Sequence, residues 1–172
     1  MFTNPLQNIK AFDIRETDLV ADLGAGTGFY AILAAKIADK GKVYAVEIAK
    51  DFIHTINSKI KEAHLKNIEA VWGDVEKLGG TKLKDGILDK VIASNILHQV
   101  SDKEKFLTET NRILKIGGEV LFIDWEKSPL VHNKLTIPKD KALKLFEEHG
   151  FSVVREISVG EHHYGIIFIK NK

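Results

Sequence analysis

Leu19-Val20-Ala21-Asp22-Leu23-Gly24-Ala25-Gly26-Thr27-Gly28-Phe29-Tyr30-Ala31-Ile32-Leu33-Ala34-Ala35 is the stretch whose reading sets the fold of this chain. Its first five residues are a strand-length run, apolar except for Asp22 near its end. From Phe29 the chain becomes rich in Ala, Ile and Leu, which predicts a helix over Phe29–Ala38. The glycines between can take positive φ and leave bare backbone for a ligand to lie against. Strand, glycine turn and helix open a parallel α/β sheet, whose ligands sit beyond the carboxyl ends of the strands where strand order reverses. The bland reading of the same residues is a tight strand-to-helix connection.

Working outward, Lys42–Val46, Ile68–Trp72, Lys90–Ala93 and Glu119–Ile123 are further apolar runs, as expected of strands buried on both faces. Phe52, Ile53, Ile56, Ile60 and Ala63 fall at helical spacing. Ser101-Asp102-Lys103-Glu104 reads as a capping box opening a helix, with Gly117-Gly118 as its stop. Pro138 suits the first position of a helix over Lys139–His149. In the tail, Phe151–Ile157 and Tyr164–Ile169 are joined by a few residues around Gly160, too few for a parallel crossover, so they must pair antiparallel. The expectation is one domain over 1–172, α/β, with five parallel strands and a terminal hairpin.

Composition narrows the function. The 172 residues carry 25 Lys plus Arg against 24 Asp plus Glu, a net charge of +1, and the lysines are spread rather than clustered. That argues against a nucleic-acid groove, which needs a basic stripe. There is no cysteine, which removes disulfides, thiolate metal sites and cysteine nucleophiles. No apolar run approaches the roughly 20 residues of a membrane helix, and Met1-Phe2-Thr3-Asn4-Pro5 does not read as a signal peptide. A soluble, cytoplasmic chain with no membrane partner is expected, its oligomeric state open.

Gly26–Ala31 also satisfies a relaxed dinucleotide fingerprint, so glycines alone do not separate a nicotinamide from adenosylmethionine. Glu47 ends the second strand where an acid accepts ribose hydroxyls, or is simply solvated. Asp74, after the third strand, can accept an adenine amine or cap a helix. Together with Asp22 they put three acids at successive strand ends. Acids suit a cationic ligand without phosphates and suit a pyrophosphate poorly. The set favours adenosylmethionine.

These residues resemble the class I S-adenosylmethionine-dependent methyltransferases over nearly the whole chain. Val20 to Gly28 is similar to that family's first motif, Val46-Glu47 to its ribose-binding acid, and Gly73-Asp74-Val75 to its adenine-side motif. Asp89 to His98 resembles the fourth-strand motif, and Arg112 to Gly118 the helix-to-fifth-strand signature. Ile96-Leu97-His98 looks most like quinone-biosynthesis-type small-molecule members. The resemblance implies a Rossmann-like three-layer sandwich with a mostly parallel seven-stranded sheet and a C-terminal antiparallel hairpin. It also implies methyl transfer from S-adenosyl-L-methionine to a small molecule by in-line displacement. Ser94-Asn95-Ile96-Leu97 departs from the Asn/Asp-Pro-Pro-aromatic motif of enzymes acting on base amines, and the missing cysteines set aside thiol-dependent arsenite and cytosine-C5 relatives.

Carried over residue by residue, the resemblance places Gly24, Ala25, Gly26 and Gly28 against the methionyl end with Asp22 near its ammonium. Glu47 takes the ribose, Asp74 the adenine, Ile48 and Val75 pack on the ring, and Asn95 lies near the methyl. His98 is the first candidate for a general base, or merely begins the next helix. Asp124 and Trp125 border the acceptor. No metal is expected, because His162 and His163 are adjacent strand residues pointing to opposite faces. An N-terminal lid over 1–17, with Phe2, Leu6, Ile9 and Phe12, and the loop Asp124–Ile137, with Leu130, Val131 and Leu135, are expected to enclose the acceptor. The competing readings are a non-catalytic cofactor-binding subunit, an RNA methyltransferase and an NAD-dependent oxidoreductase.

Overall fold

A computed structural model describes residues 4–126 and 136–171. The expected lid residues Phe2, Leu130, Val131 and Leu135 lie outside the described residues. In chain order the elements are α1 (Pro5–Phe12), β1 (Leu19–Leu23), α2 (Phe29–Ile37), β2 (Lys42–Glu47), α3 (Lys50–Glu62), β3 (Ile68–Trp72) and β4 (Leu88–Ser94). They continue with α4 (Lys103–Ile113), β5 (Leu114–Trp125), α5 (Lys139–Glu148), β6 (Phe151–Ile157) and β7 (His163–Lys170).

One seven-stranded sheet has the order β3-β2-β1-β4-β5-β7-β6. β1 through β5 pair parallel, and β7 runs antiparallel to both β5 and β6, so the terminal hairpin expected from the short connection is present. Strand addition reverses at β1 and β4, so a crevice opens where the carboxyl ends of these strands diverge. Alternate strand residues feed two apolar layers. Leu23, Val91, Phe106, Phe122, Phe146 and Phe168 fill one, where the Phe146 and Phe168 rings stack at 4.0 Å. Val20, Ala31, Ile56, Ile92, Ile123 and, from α1, Ile9 and Phe12 fill the other.

Three boundaries differ from the sequence reading. α4 is capped by Asp102, whose side chain accepts from the Lys105 amide, and not by Ser101. A carboxylate outcompetes the neighbouring hydroxyl for the amides of the first turn. Gly117-Gly118 do not stop α4. The helix ends at Ile113 because buried Leu114 already pairs with Leu88. The glycines instead sit within β5, where pairing jumps to Lys90 with Glu119 and Gly117 takes φ 77°. Pro138 is the N-cap of α5, not its first helical residue, with ψ 138° still extended.

Candidate functional site

The glycine turn is built by the strands beside it. The amides of Gly24 and Ala25 both donate to the Val46 carbonyl at 3.0 Å, and the Gly26 amide donates to Glu47 Oε2 at 2.8 Å. Gly24, at φ 68°, faces Ile96 so closely that a Cβ there would stand 2.5 Å from Ile96 Cδ1. Gly28, at φ 77°, caps α2 but has no side chain to accept from its amides. Asp22 supplies the missing acceptor from β1, taking the Ala31 amide at 3.1 Å. Burial pushes the Asp22 carboxyl up to about 7, against the Ala31 hydrogen bond and with a further upward push from the Glu47 charge.

Glu47 is buried at the end of β2. Besides Gly26, it accepts from the Ile48 and Ala49 amides at 2.8 and 2.9 Å, which fixes the start of α3. A carboxylate has about four lone-pair positions, so the backbone leaves one for a ligand. Asp74 follows β3 in a loop closed by its own amide on the Gly80 carbonyl. Its carboxylate accepts from the Glu76 amide at 3.0 Å and pairs with Lys77 at 3.1 Å. Behind that loop, Glu109 of α4 accepts from the Gly79 and Thr81 amides, the Thr81 hydroxyl and the Arg112 guanidinium.

These elements enclose a cleft of about 270 Å³. Of the residues expected to bind a cofactor, Gly24, Gly26, Glu47, Ile48, Asp74 and Val75 line it. Asp22, Ala25, Gly28 and Asn95 do not: Asp22 lies behind the turn, and Ala25 and Gly28 shape it. Phe52, Glu76, Ile96, Gln99 and Val100 complete the lining. Of these the sequence marks Phe52 only as a helix-face residue and Ile96 only within a motif. No Lys or Arg is among the lining residues, whereas Glu47, Asp74 and Glu76 are. A second cleft, of about 260 Å³ at the opposite ends of the strands, has its lysines paired, Lys90 with Glu119 and Lys115 with Asp89.

Beyond β4, His98 Nδ1 meets Asp124 Oδ1 at 2.6 Å, and Asp124 also accepts from the His98 and Trp125 amides. Asp124 is fully buried. A carboxylate on Nδ1 fixes the tautomer and leaves Nε2 as the ring nitrogen free to accept a proton. Among the described residues no group of His, Asp and Glu is placed to hold a metal ion.

Residues 14–156 match the family model described as a methyltransferase domain. The chain belongs to that family. This methyltransferase domain is 29% identical over 129 residues to human arsenite methyltransferase, covering 70% of the chain and 32% of that protein. It is 24% identical over 126 residues to the demethylmenaquinone methyltransferase of Bacillus mycoides, covering 73% and 52%. The chain thus spans about a third to a half of the curated relatives it matches. The crystal structure of a SAM dependent methyltransferase from Aquifex aeolicus superposes with a TM-score of 0.87 at 27% identity, covering 98% of this chain and 90% of that one.

Proposed function

We propose that the cleft binds S-adenosyl-L-methionine and that the domain aligns its methyl group with a small-molecule acceptor for in-line displacement. The sign of the cleft carries this reading. Glu47, Asp74 and Glu76 line it, Asp22 stands behind it, and no lining residue is basic. Such a site attracts a ligand bearing a sulfonium and an ammonium and repels a pyrophosphate. The amides of Gly24, Ala25 and Gly26 are already engaged, so the turn has little left to offer phosphates. Both facts weigh against NAD.

The bound cofactor supplies an electrophilic methyl, and the residues of the chain bind, orient and exclude water. Glu47 offers its remaining lone pair to the ribose, and Asp74 accepts the adenine amine. Ile48, 61% exposed, gives a ring a bare aliphatic surface beside Val75. Asp22 balances the ammonium from behind the turn, Asn95 stands by the methyl, and His98 takes a proton from the acceptor through Nε2. The chain forms one domain, and α1 of the expected lid serves it as a packed cover, since Ile9 and Phe12 are buried in the core. Among relatives, the demethylmenaquinone enzymes fit better than the arsenite enzymes, because this chain has no thiol to hold arsenic. No described helix is long and apolar enough to cross a membrane, and a chain without cysteine suits a reducing cytoplasm.

Calorimetric titration tests the cofactor. Adenosylhomocysteine is expected to bind and NAD to show no saturable heat, and the reverse order would sink the proposal. Glu47→Gln should weaken adenosylhomocysteine about 10- to 100-fold, the range for a hydrogen bond to a charged group. Unchanged affinity would remove the ribose assignment.

Asp22 gives the binding a pH dependence of known sign. Its carboxyl sits at about 7 in the free protein, raised from 3.8. Folding therefore favours its protonated form: the stability it contributes is fully present below 3.8 and is lost as pH rises through about 7. An adjacent ammonium favours the carboxylate, so binding below about 7 must expel a proton. Adenosylhomocysteine affinity is expected to climb by up to about tenfold per pH unit from pH 5 and to level off above about 7. Titration in two buffers of different ionisation heat measures the proton released. A flat profile with no proton release would dissociate Asp22 from the ammonium.

A further inference from the structure

Four buried side-chain atoms among the described residues have no hydrogen-bond partner: Asn8 Oδ1, Ser94 Oγ, Asn95 Oδ1 and His163 Nε2. A buried polar atom left unpaired is costly, and a native structure that keeps one usually reserves it for something. Asn8, Ser94 and His163 lie on one face of the sheet, and Asn95 follows Ser94 in the chain. Ser94 and Asn95 end β4, and Asn95 adopts φ 54°, a conformation uncommon for a residue with a side chain. Ser94 stands opposite Ile123, and Trp125, two residues further along β5, shares that face of the sheet. Trp125 in turn pairs with His163 across to β7, their rings 3.9 Å apart.

This is the face that α1 and α2 cover, since Ile9, Phe12, Ala31 and Ile123 share one core layer. The cover is joined by a polar contact, Asn8 Nδ2 donating to the Tyr30 hydroxyl at 2.8 Å. The Ser94 hydroxyl stands beside that of Tyr30 without forming a well-made hydrogen bond. The corner abuts the cofactor cleft: Tyr30 opens the helix after the glycine turn, and Ile96, next to Asn95, lines the cleft against Gly24.

Three of the unpaired atoms are acceptors, and the fourth, the Ser94 hydroxyl, can accept as well as donate. Asn8 has committed its amide nitrogen to Tyr30, so its free atom is a carbonyl oxygen. Asn95 likewise presents a carbonyl oxygen. His163 Nδ1 faces the Glu161 carbonyl at 3.2 Å and so carries the proton, which leaves Nε2 with a lone pair. Burial pushes the His163 pKa down and keeps the ring neutral. We infer that this corner is a hydrogen-bond-accepting subsite that grips the methyl acceptor by its O–H or N–H groups, and that the acceptor is an uncharged hydroxy or amino compound, not a carboxylate or phosphate. The placement rests on the adjoining cleft being the cofactor site.

Four probes of similar size separate the possibilities: phenol and aniline, which carry donors, toluene, which carries none, and benzoate, which is an anion. Each is titrated into the protein saturated with adenosylhomocysteine and followed by NMR chemical shifts. Phenol and aniline should bind at least about tenfold more tightly than toluene or benzoate, about 1.4 kcal/mol. Asn8→Ala and Ser94→Ala should bring phenol to the level of toluene while adenosylhomocysteine affinity stays within about twofold. Ser94→Ala and His163→Phe keep the test decisive should Asn8→Ala loosen α1. Toluene or benzoate binding as well as phenol, no saturable phenol binding, or phenol binding indifferent to all three substitutions overturns the subsite. Failure of adenosylhomocysteine to bind would sink the cofactor reading instead, and the order of the probes on the free protein would still decide the subsite.

Discussion

Glu109→Ala is expected to cost about 3–5 kcal/mol of folding stability, the loss typical of removing one partner from a buried ion pair. Glu109 is fully buried on α4. Burial pushes its carboxyl up, but hydrogen bonds from Arg112, Thr81 and Gly79 outweigh that and hold it below the usual carboxylate range. Truncation removes the buried carboxylate that Arg112 meets at 2.7 and 2.8 Å, leaving the guanidinium chiefly to exposed Asp85, and orphans the amides of Gly79 and Thr81. At about 2–4 °C per kcal/mol for a chain of this size, the thermal midpoint should fall by roughly 6–20 °C. The loop that Glu109 anchors carries Asp74, so adenosylhomocysteine affinity should fall as well. Calorimetric unfolding checks the first effect, and a loss under about 1 kcal/mol would mean that the existing pairing with Asp85 is enough for Arg112. Replacing Glu109 and Arg112 together by methionine should recover much of the loss, since the pair is then removed rather than broken.

Glu109 also shows how far the sequence can be read. Within Lys103–Ile113 it looks like one more charge on a solvated helix face, yet its spacing of three from Phe106 and four from Ile113 puts it on the buried side. The strands around the cleft were legible because buried parallel strands are short apolar runs, and the cleft acids because they end those runs. The start of β5 was hidden, since Lys115 and Gly117-Gly118 look like a helix stop and only the pairing of Leu114 with Leu88 reveals a strand. The dual nature of Asp22 was hidden for a related reason. An acid at a strand end is visible, but its capping of α2 nine residues later depends on how the turn folds back. The Asn8 to Tyr30 contact and the shared face of Ser94, Trp125 and His163 arise from helix docking and strand register, which local patterns do not carry.

The second large effect is expected at the His98–Asp124 pair, which 26 residues of sequence separate and the adjacency of β4 and β5 brings to 2.6 Å. If His98 takes the acceptor proton, His98→Ala should lower turnover by about 10²–10⁴-fold, the usual contribution of a positioned base. Asp124→Asn should come close to that loss, because an amide no longer enforces the tautomer with Nδ1 protonated. Asp124 acts through His98 and is a positioning residue. Its substitution should therefore also abolish the downfield Nδ1 proton resonance that a 2.6 Å hydrogen bond to a carboxylate produces. Turnover is read as adenosylhomocysteine release with a hydroxylated aromatic acceptor, and adenosylhomocysteine affinity should change by less than about threefold, since neither residue lines the cleft. A His98→Ala variant that keeps turnover within about threefold of the parent would show that alignment alone drives the transfer, which effective molarities of well-oriented reactants permit. Loss of cofactor affinity and turnover together would instead make the pair a strut for the end of β4. Asparagine keeps the size of Asp124 and an oxygen for one of the two amides it holds, that of His98 on Oδ2 or that of Trp125 on Oδ1, so Asp124→Asn separates these outcomes better than alanine does.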